Sequence, residues 1–344
     1  MSKATVQLVD LESRVLGEAV PMSVVLPPDF QNITESLPLF IFLHGGAGDR
    51  NFLVDWLPFW EDMWRAQELP PLVMISFSSG GGSWYGGAWE KFVADELPKW
   101  ANDQFKTRLD QDGTVMSGGS MGGYGALKIG FKYPERFKAI APMEASIEPS
   151  FERTPGNRRN TWFRMEAFET EVWGSPIDAA AWESDNPAAI VRRNADAIRT
   201  SGLEIYLEVG DKDYINLHDG NEFLHRVLWD HDIRHEYHLV RWADHVGLST
   251  ERRMREACRF LAAAVAGGLD EPTDLPLTDE EQAHLDWING GGMAAGDPPP
   301  TQSNLMADVS RAPSISRRIW DPLRNQALDD PDMQRAYGKL PPTS

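Results

Sequence analysis

The chain has 344 residues, 42% of them hydrophobic, which suffices for one large domain with a substantial core. Its 52 acidic and 33 basic residues give a formal charge of −19. That excess repels nucleic acid and anionic membranes, so neither is expected as a partner, and acidity of this kind serves solubility.

Cys258 is the only cysteine, which excludes an intramolecular disulfide, and in the helical-looking Glu251–Ala266 it reads as a small core hydrophobe. The opening Met1-Ser2-Lys3-Ala4-Thr5 lacks the charged-then-apolar pattern of a signal peptide. No apolar run reaches the roughly 18 residues of a membrane span, so a cytoplasmic location is expected.

From about residue 5 to 265, strand-like apolar runs alternate with amphipathic ones, the pattern of a mostly parallel sheet flanked by helices. Val6–Ser13 and Ala19–Leu26 read as an opening antiparallel hairpin. Leu37–Leu43 is an uninterrupted apolar strand, Phe52–Gln67 a helix, and Leu72–Phe77 a second buried strand. The helix Trp89–Phe105 precedes the short strand Thr114–Ser117, a helix from Ser120 to about Tyr133, and the strand Phe137–Met143.

Residues 146–184, rich in Arg, Glu and Trp, interrupt the rhythm and are expected to form a cap-like insertion. Leu203–Val209, the helix Asn221–Trp229 and the strand Glu236–Val240 close the series. Continuous apolar strands imply burial on both faces. The catalytic unit is therefore placed at 1–266, with 267–344 as an extended C-terminal tail. Ten of the 24 prolines fall in that tail. Thr278 with Glu281 is a capping-box pattern opening one short helix that Gly290 ends. The remainder is expected to wrap the domain or a partner subunit, or to lack order, which makes a homo-oligomer possible.

Gly118-Gly119-Ser120-Met121-Gly122-Gly123 fits G-x-S-x-G. Alone the pattern is weak, and a glycine-rich phosphate loop would look similar. A strand before it and the helix Tyr124–Phe131 after it make it a nucleophile elbow. The serine must sit on a strained turn where side chains at 118 and 122 would collide, and the helix N-terminus favours developing negative charge. A serine also needs a base, and an oxyanion needs donors. His44-Gly45-Gly46-Ala47-Gly48 directly follows a core strand, so the oxyanion hole is assigned to the N–H groups of Gly46 and Met121, with Ala47 as the alternative to Gly46. His44 itself reads as a structural hydrogen-bonder.

The chain order Ser, acid, His places the acid after Leu203–Val209, where Asp211 and Asp213 both stand. The spacing Gly-x-x-acid selects Asp213. The last strand runs into Trp242-Ala243-Asp244-His245-Val246-Gly247, which makes His245 the base. The other histidines offer no ligand set on one face, so no metal and no cofactor are expected.

The chain resembles the esterase D/mycolyltransferase branch of the α/β hydrolases. The matching features are Leu43-His44-Gly45-Gly46, Trp89-Glu90-Lys91-Phe92 leading to Glu96-Leu97-Pro98, Gly118–Tyr124, Asp213 and Asp244-His245. The likeness covers about residues 15–265 and implies the α/β-hydrolase fold. It also implies an oxyanion hole built from the glycines after the third strand and the residue after the serine. The tail from 267 has no counterpart in it, and the 146–184 insertion is too divergent to carry substrate knowledge over.

Trp84 and Tyr85, between Gly80-Gly81-Gly82 and Gly86-Gly87, lie at the carboxyl edge of the sheet and are expected, with Gly45, to meet substrate. Packing of the loop is the competing role for the two aromatics. Trp162, Phe163, Phe168 and Trp173 are candidates to roof the pocket. Arg158, Arg159 and Arg164 could meet a substrate carboxylate, but a solvated cap face is the simpler reading. The expected function is a serine esterase acting on a small-molecule carboxylic ester through an acyl-enzyme on Ser120. A thioesterase or acyltransferase would use the same residues, and a non-catalytic binding protein would not need all three triad positions filled.

Overall fold

A computed structural model describes residues 3–149, 166–269 and 276–300. The chain divides into two compact units, Met1–Asp270 and Glu271–Ser344. The first is an eight-stranded sheet in the order β1-β2-β4-β3-β5-β6-β7-β8. Its strands are β1 Thr5–Glu12, β2 Ala19–Leu26, β3 Leu39–Leu43, β4 Val73–Phe77, β5 Thr114–Gly119, β6 Ala139–Met143, β7 Glu204–Gly210 and β8 Glu236–Val240. The hairpin β1–β2 and the β2–β4 pair are antiparallel; every other pairing is parallel. This is the mostly parallel, helix-flanked sheet that the alternating pattern predicts, and the fold that the family resemblance implies.

Alternation along each strand sorts the core into two layers. Leu39, Ile41 and Leu43 of β3 join one apolar cluster, whereas Phe40 and Phe42 join the other. Helices α1 Phe52–Asp55 and α2 Leu57–Arg65 cover the second face together with α10 Thr250–Val265. There Cys258 is 1% exposed, and burial pushes its thiol up, as suits a small core hydrophobe. Helices α3 Ala88–Lys91, α4 Leu97–Phe105, α5 Met121–Lys132, α8 Pro187–Ser201 and α9 His218–Asp230 flank the sheet, four of them contributing to the first cluster. β8 ends the sheet and is half exposed, unlike the buried strands β3 to β7.

Two expected helices are interrupted. The first breaks at Trp56, with Pro58 in the opening turn of α2; the second carries a π turn, Phe92–Glu96, ahead of Pro98. Each proline lacks the N–H that an unbroken helix would use. The stretch between β6 and β7 also holds α6 Glu166–Trp173 and α7 Ala179–Asp185. Helix α8, absent from the sequence reading, starts where the Asn186 side chain accepts the Ala188 N–H and Pro187 takes the first helical position. Trp162, Phe163, Arg158, Arg159 and Arg164, and the side chain of Phe168, lie outside the described residues, as do 270–275 and 301–344 of the expected tail.

In the second unit, α11 Asp279–Asn289 opens with both halves of the Thr278–Glu281 capping box, and α12 Gly292–Ala295 follows. Among the described residues, no helix is long and apolar enough to cross a membrane.

Candidate active site

β5 runs directly into α5 through Ser120, which sits at φ 56°, ψ −116°. That conformation is costly for a residue with a Cβ and is held by its surroundings. The Ser120 N–H donates to the Met143 carbonyl at 3.0 Å, and the Ser146 N–H donates to the Ser120 carbonyl at 3.1 Å. Close approach explains the flanking glycines. A Cβ on Gly122 would stand 1.9 Å from the Leu43 carbonyl oxygen, and one on Gly118 would stand 2.6 Å from Gly122. Only glycine lets the elbow pass this near β3.

The expected base and acid meet. His245 Nδ1 lies 2.8 Å from Asp213 Oδ2, with residue exposures of 6% and 2%. The other Asp213 oxygen accepts the Ile215 N–H at 2.8 Å, which fixes the carboxylate plane. A proton on Nδ1 directed to this carboxylate leaves Nε2 as the acceptor. Asp211 serves elsewhere, its Oδ1 accepting the Trp242 N–H at 2.6 Å. Asp244 Oδ1 accepts the backbone N–H of both Tyr214 and His245, latching the two loops together. No hydrogen bond joins Ser120 to His245. Instead Ser120 Oγ lies 3.2 Å from Ser146 Oγ, a contact in which either hydroxyl can donate; with Ser146 as donor the Ser120 proton is free for the imidazole.

The loop after β3 lies beside the serine: a Cβ on Gly45 would be 3.5 Å from Ser120 Cβ. The N–H groups of Gly46, Ala47 and Met121 donate to no acceptor among the described residues, so all three are free to receive an oxyanion. His44, 1% exposed, braces this loop. Its Nδ1–H donates to the Gly45 carbonyl at 2.8 Å, and Nε2 accepts the Ser79 N–H at 3.1 Å. Burial holds the ring below its ordinary value and therefore neutral.

A pocket opens next to Ser146. Trp84, Tyr124, Trp173 and Trp182 wall it, with Ser146–Pro149 and Ile215–Leu217 along its edges. Trp84 lies on the pocket lining, with ring centroids 5.2 Å from Tyr124 and 5.7 Å from Trp173. Tyr85 does not. It is 0% exposed, and its hydroxyl donates to the His44 carbonyl at 2.9 Å. Left-handed backbone at both Trp84 (φ 46°) and Tyr85 (φ 50°) sends neighbouring rings to different surroundings, one to the pocket and one into the core.

Three features escaped the sequence reading. Ser146 was placed in the insertion, yet its hydroxyl lies 3.2 Å from that of Ser120. Asp185, ending α7, binds Lys128 at 2.7 Å and Lys132 at 2.9 Å, both on α5, and its carbonyl accepts the Tyr124 hydroxyl. Burial alone would raise the Asp185 carboxyl, but the two lysines outweigh it and hold it low. Lastly, Arg253 is buried with Glu144 and Glu208 beneath the His245 loop.

The chain matches a family model described as "Putative esterase" over residues 13–227. An esterase of Mycobacterium tuberculosis is 27% identical over 189 residues, 51% of this chain and 41% of that protein, so the chain spans about two-fifths of that relative's length. An acetyl esterase of Caldicellulosiruptor saccharolyticus is 26% identical over 223 residues, 60% of this chain and 80% of that one. Among solved structures, a ferulic acid esterase aligns with a TM-score of 0.63 at 16% identity, covering 77% of this chain and all (100%) of that chain. A likeness at that identity speaks for the fold alone.

Proposed function

The chain belongs to the "Putative esterase" family, and from that premise we propose that it hydrolyses a small-molecule carboxylic ester through an acyl-enzyme on Ser120. The observation that carries the reading is the buried 2.8 Å contact between His245 Nδ1 and Asp213 Oδ2 at the same sheet edge as the strained Ser120. In this scheme Ser120 Oγ gives its proton to His245 Nε2 and attacks the ester carbonyl. The tetrahedral oxyanion is received by the Met121 N–H and that of Gly46 or Ala47. Collapse expels the alcohol, which takes the proton from His245. Water, deprotonated by His245, then attacks the acyl-enzyme and releases the acid, restoring the serine. Asp213 orients the imidazole and stabilises its charged form.

The pocket walled by Trp84, Tyr124, Trp173 and Trp182, with Glu148, Glu169 and Asp219 also on its lining, favours an aromatic acyl group and disfavours an anionic one. The test is a panel of nitrophenyl esters of graded chain length with aryl and thioester members, run beside fluorophosphonate labelling. Turnover and labelling that both vanish in Ser120→Ala support the reading. Labelling that survives the substitution defeats it. Preference for a thioester, or for an added alcohol over water, would keep the residues and change the reaction.

A further inference from the structure

Three chain segments converge on one guanidinium behind the His245 loop. Arg253, on α10, is 2% exposed. Its Nη1 donates to Glu144 Oε2 at 2.6 Å and to Glu208 Oε1 at 2.9 Å. Its Nη2 points the other way and donates to the carbonyls of Asp244 at 2.9 Å and His245 at 3.0 Å. Glu208 lies on β7, in the strand that leads to Asp213. Glu144 follows β6 with φ 33°, and its N–H donates to the Glu208 carbonyl at 2.9 Å. A Cβ on Gly119 would stand 3.0 Å from Glu144 Oε1, so this carboxyl underlies the residue before Ser120.

We propose that Arg253 is a positioning residue for the serine-hydrolase reaction, its two nitrogens clamping the backbone of His245 to the end of β6, whose Met143 carbonyl accepts the Ser120 N–H, and to β7, which leads to Asp213. The proposal rests on the function proposed above. A guanidinium suits this position where an ammonium does not, because its planar fork serves two acceptor sets at a fixed angle. An ion pair that only stabilised the core would need the carboxylates alone; the two bonds to the 244 and 245 carbonyls fall on the loop that bears the imidazole. Burial pushes both carboxyls up, Glu144 further through the neighbouring Glu208 charge, while Arg253 pulls each of them back down.

The test compares Arg253→Lys with Arg255→Lys, two residues along the same helix, where the cation pairs with Asp62 and Glu68 away from the loop. Lysine keeps the charge but cannot hold carboxylates and carbonyls together. Arg253→Lys is expected to lower kcat about tenfold to a hundredfold, as small misplacement of a catalytic group does, with KM changed less than about twofold. Arg255→Lys should leave both unchanged. Because losing the guanidinium can unfold the protein, the double variant Arg253→Met/Glu208→Gln serves beside it. It removes the charges together and still lacks the clamp, so the same loss of kcat is expected.

The low-field proton resonance of the His245–Asp213 hydrogen bond, recorded in a Ser120→Ala background, gives a readout independent of turnover and should broaden or shift in both Arg253 variants. A folded Arg253 variant with wild-type kcat and an unchanged resonance would overturn the proposal. Failure of the underlying reading looks different: the wild-type protein would show no Ser120-dependent turnover or labelling at all.

Discussion

Replacing Asp213 by Asn separates the two aspartates after β7 and tests the site at its best-defined contact. Asp213 Oδ1 is committed to the Ile215 N–H and Oδ2 to His245 Nδ1, each at 2.8 Å. An asparagine keeps the first bond only by pointing its carbonyl at Ile215, which turns its NH2 toward the imidazole. Nδ1 must then act as an acceptor, the ring proton moves to Nε2, and Ser120 faces a donor instead of a base. The equivalent amide substitution in triad enzymes lowers kcat about 10⁴-fold, or roughly 5 kcal/mol of transition-state stabilisation at about 1.4 kcal/mol per tenfold. For Asp211, the carbonyl of an asparagine can still accept the Trp242 N–H. Asp211→Asn should therefore stay within about threefold of wild type, since surface changes that keep their bonds cost little. Turnover of a short-chain nitrophenyl ester, with circular dichroism as a folding control, measures both. A crippled Asp211→Asn beside an active Asp213→Asn would refute the reasoning.

Gly122→Ala should lower Tm by several degrees and turnover with it, because a Cβ 1.9 Å from the Leu43 carbonyl forces backbone apart, at about 1–3 kcal/mol or more; a scanning calorimetry trace matching wild type would contradict the packing at the elbow. Trp84→Ala should raise KM for aryl and long-chain esters about tenfold and leave acetyl ester turnover nearly intact, as loss of one pocket wall implies; an equal effect on all chain lengths would remove Trp84 from the pocket. Stability should also carry a signature of His44. Burial lowers its folded-state value, so its contribution is present above the ordinary imidazole range, about 6.5, and is lost as pH falls toward the folded value. Between pH 7.5 and 5 (roughly the window around that range) Tm of the wild type should fall more steeply than that of His44→Asn; parallel slopes would argue against a buried neutral ring.

Sequence made the chemistry of the site legible because its demands are local. A strand, a glycine-flanked serine and a helix follow one another between Thr114 and Lys132, and chain order then points to Asp213 and His245. Direction was harder. Trp84 and Tyr85 share the same glycine-rich surroundings, and only their paired left-handed backbone sends one ring to the pocket and the other beneath His44. Contacts between distant segments were not legible at all. Arg253 meets Glu144 across 109 residues, and nothing in either neighbourhood names the other. A trace was present nonetheless: Glu208 interrupts the apolar run of β7, and a carboxylate in a fully buried strand requires a buried partner. Helix α8 escaped notice because its Arg-rich, Ala-rich sequence resembles the segment before it, and its start depends on Asn186 and Pro187 rather than on a change of composition.

The ion pairs from Asp185 to Lys128 and Lys132 bear on how this protein could be re-engineered. Grafting the segment between β6 and β7 from one relative to another is an obvious route to new substrate preference. Here the last residue of α7 is anchored to two lysines on the helix that begins at the nucleophile. A graft that carries Asp185 away with the segment would leave Lys128, which is wholly shielded from solvent, with Glu90 as its remaining carboxylate partner among the described residues. The unit that can be exchanged is therefore larger than the visible insertion: it includes Lys128, Lys132 and their second partner Glu90. Chimeras that move those residues with the segment should express as folded protein, while those that replace Asp185 alone leave a buried lysine short of one carboxylate on the helix after Ser120.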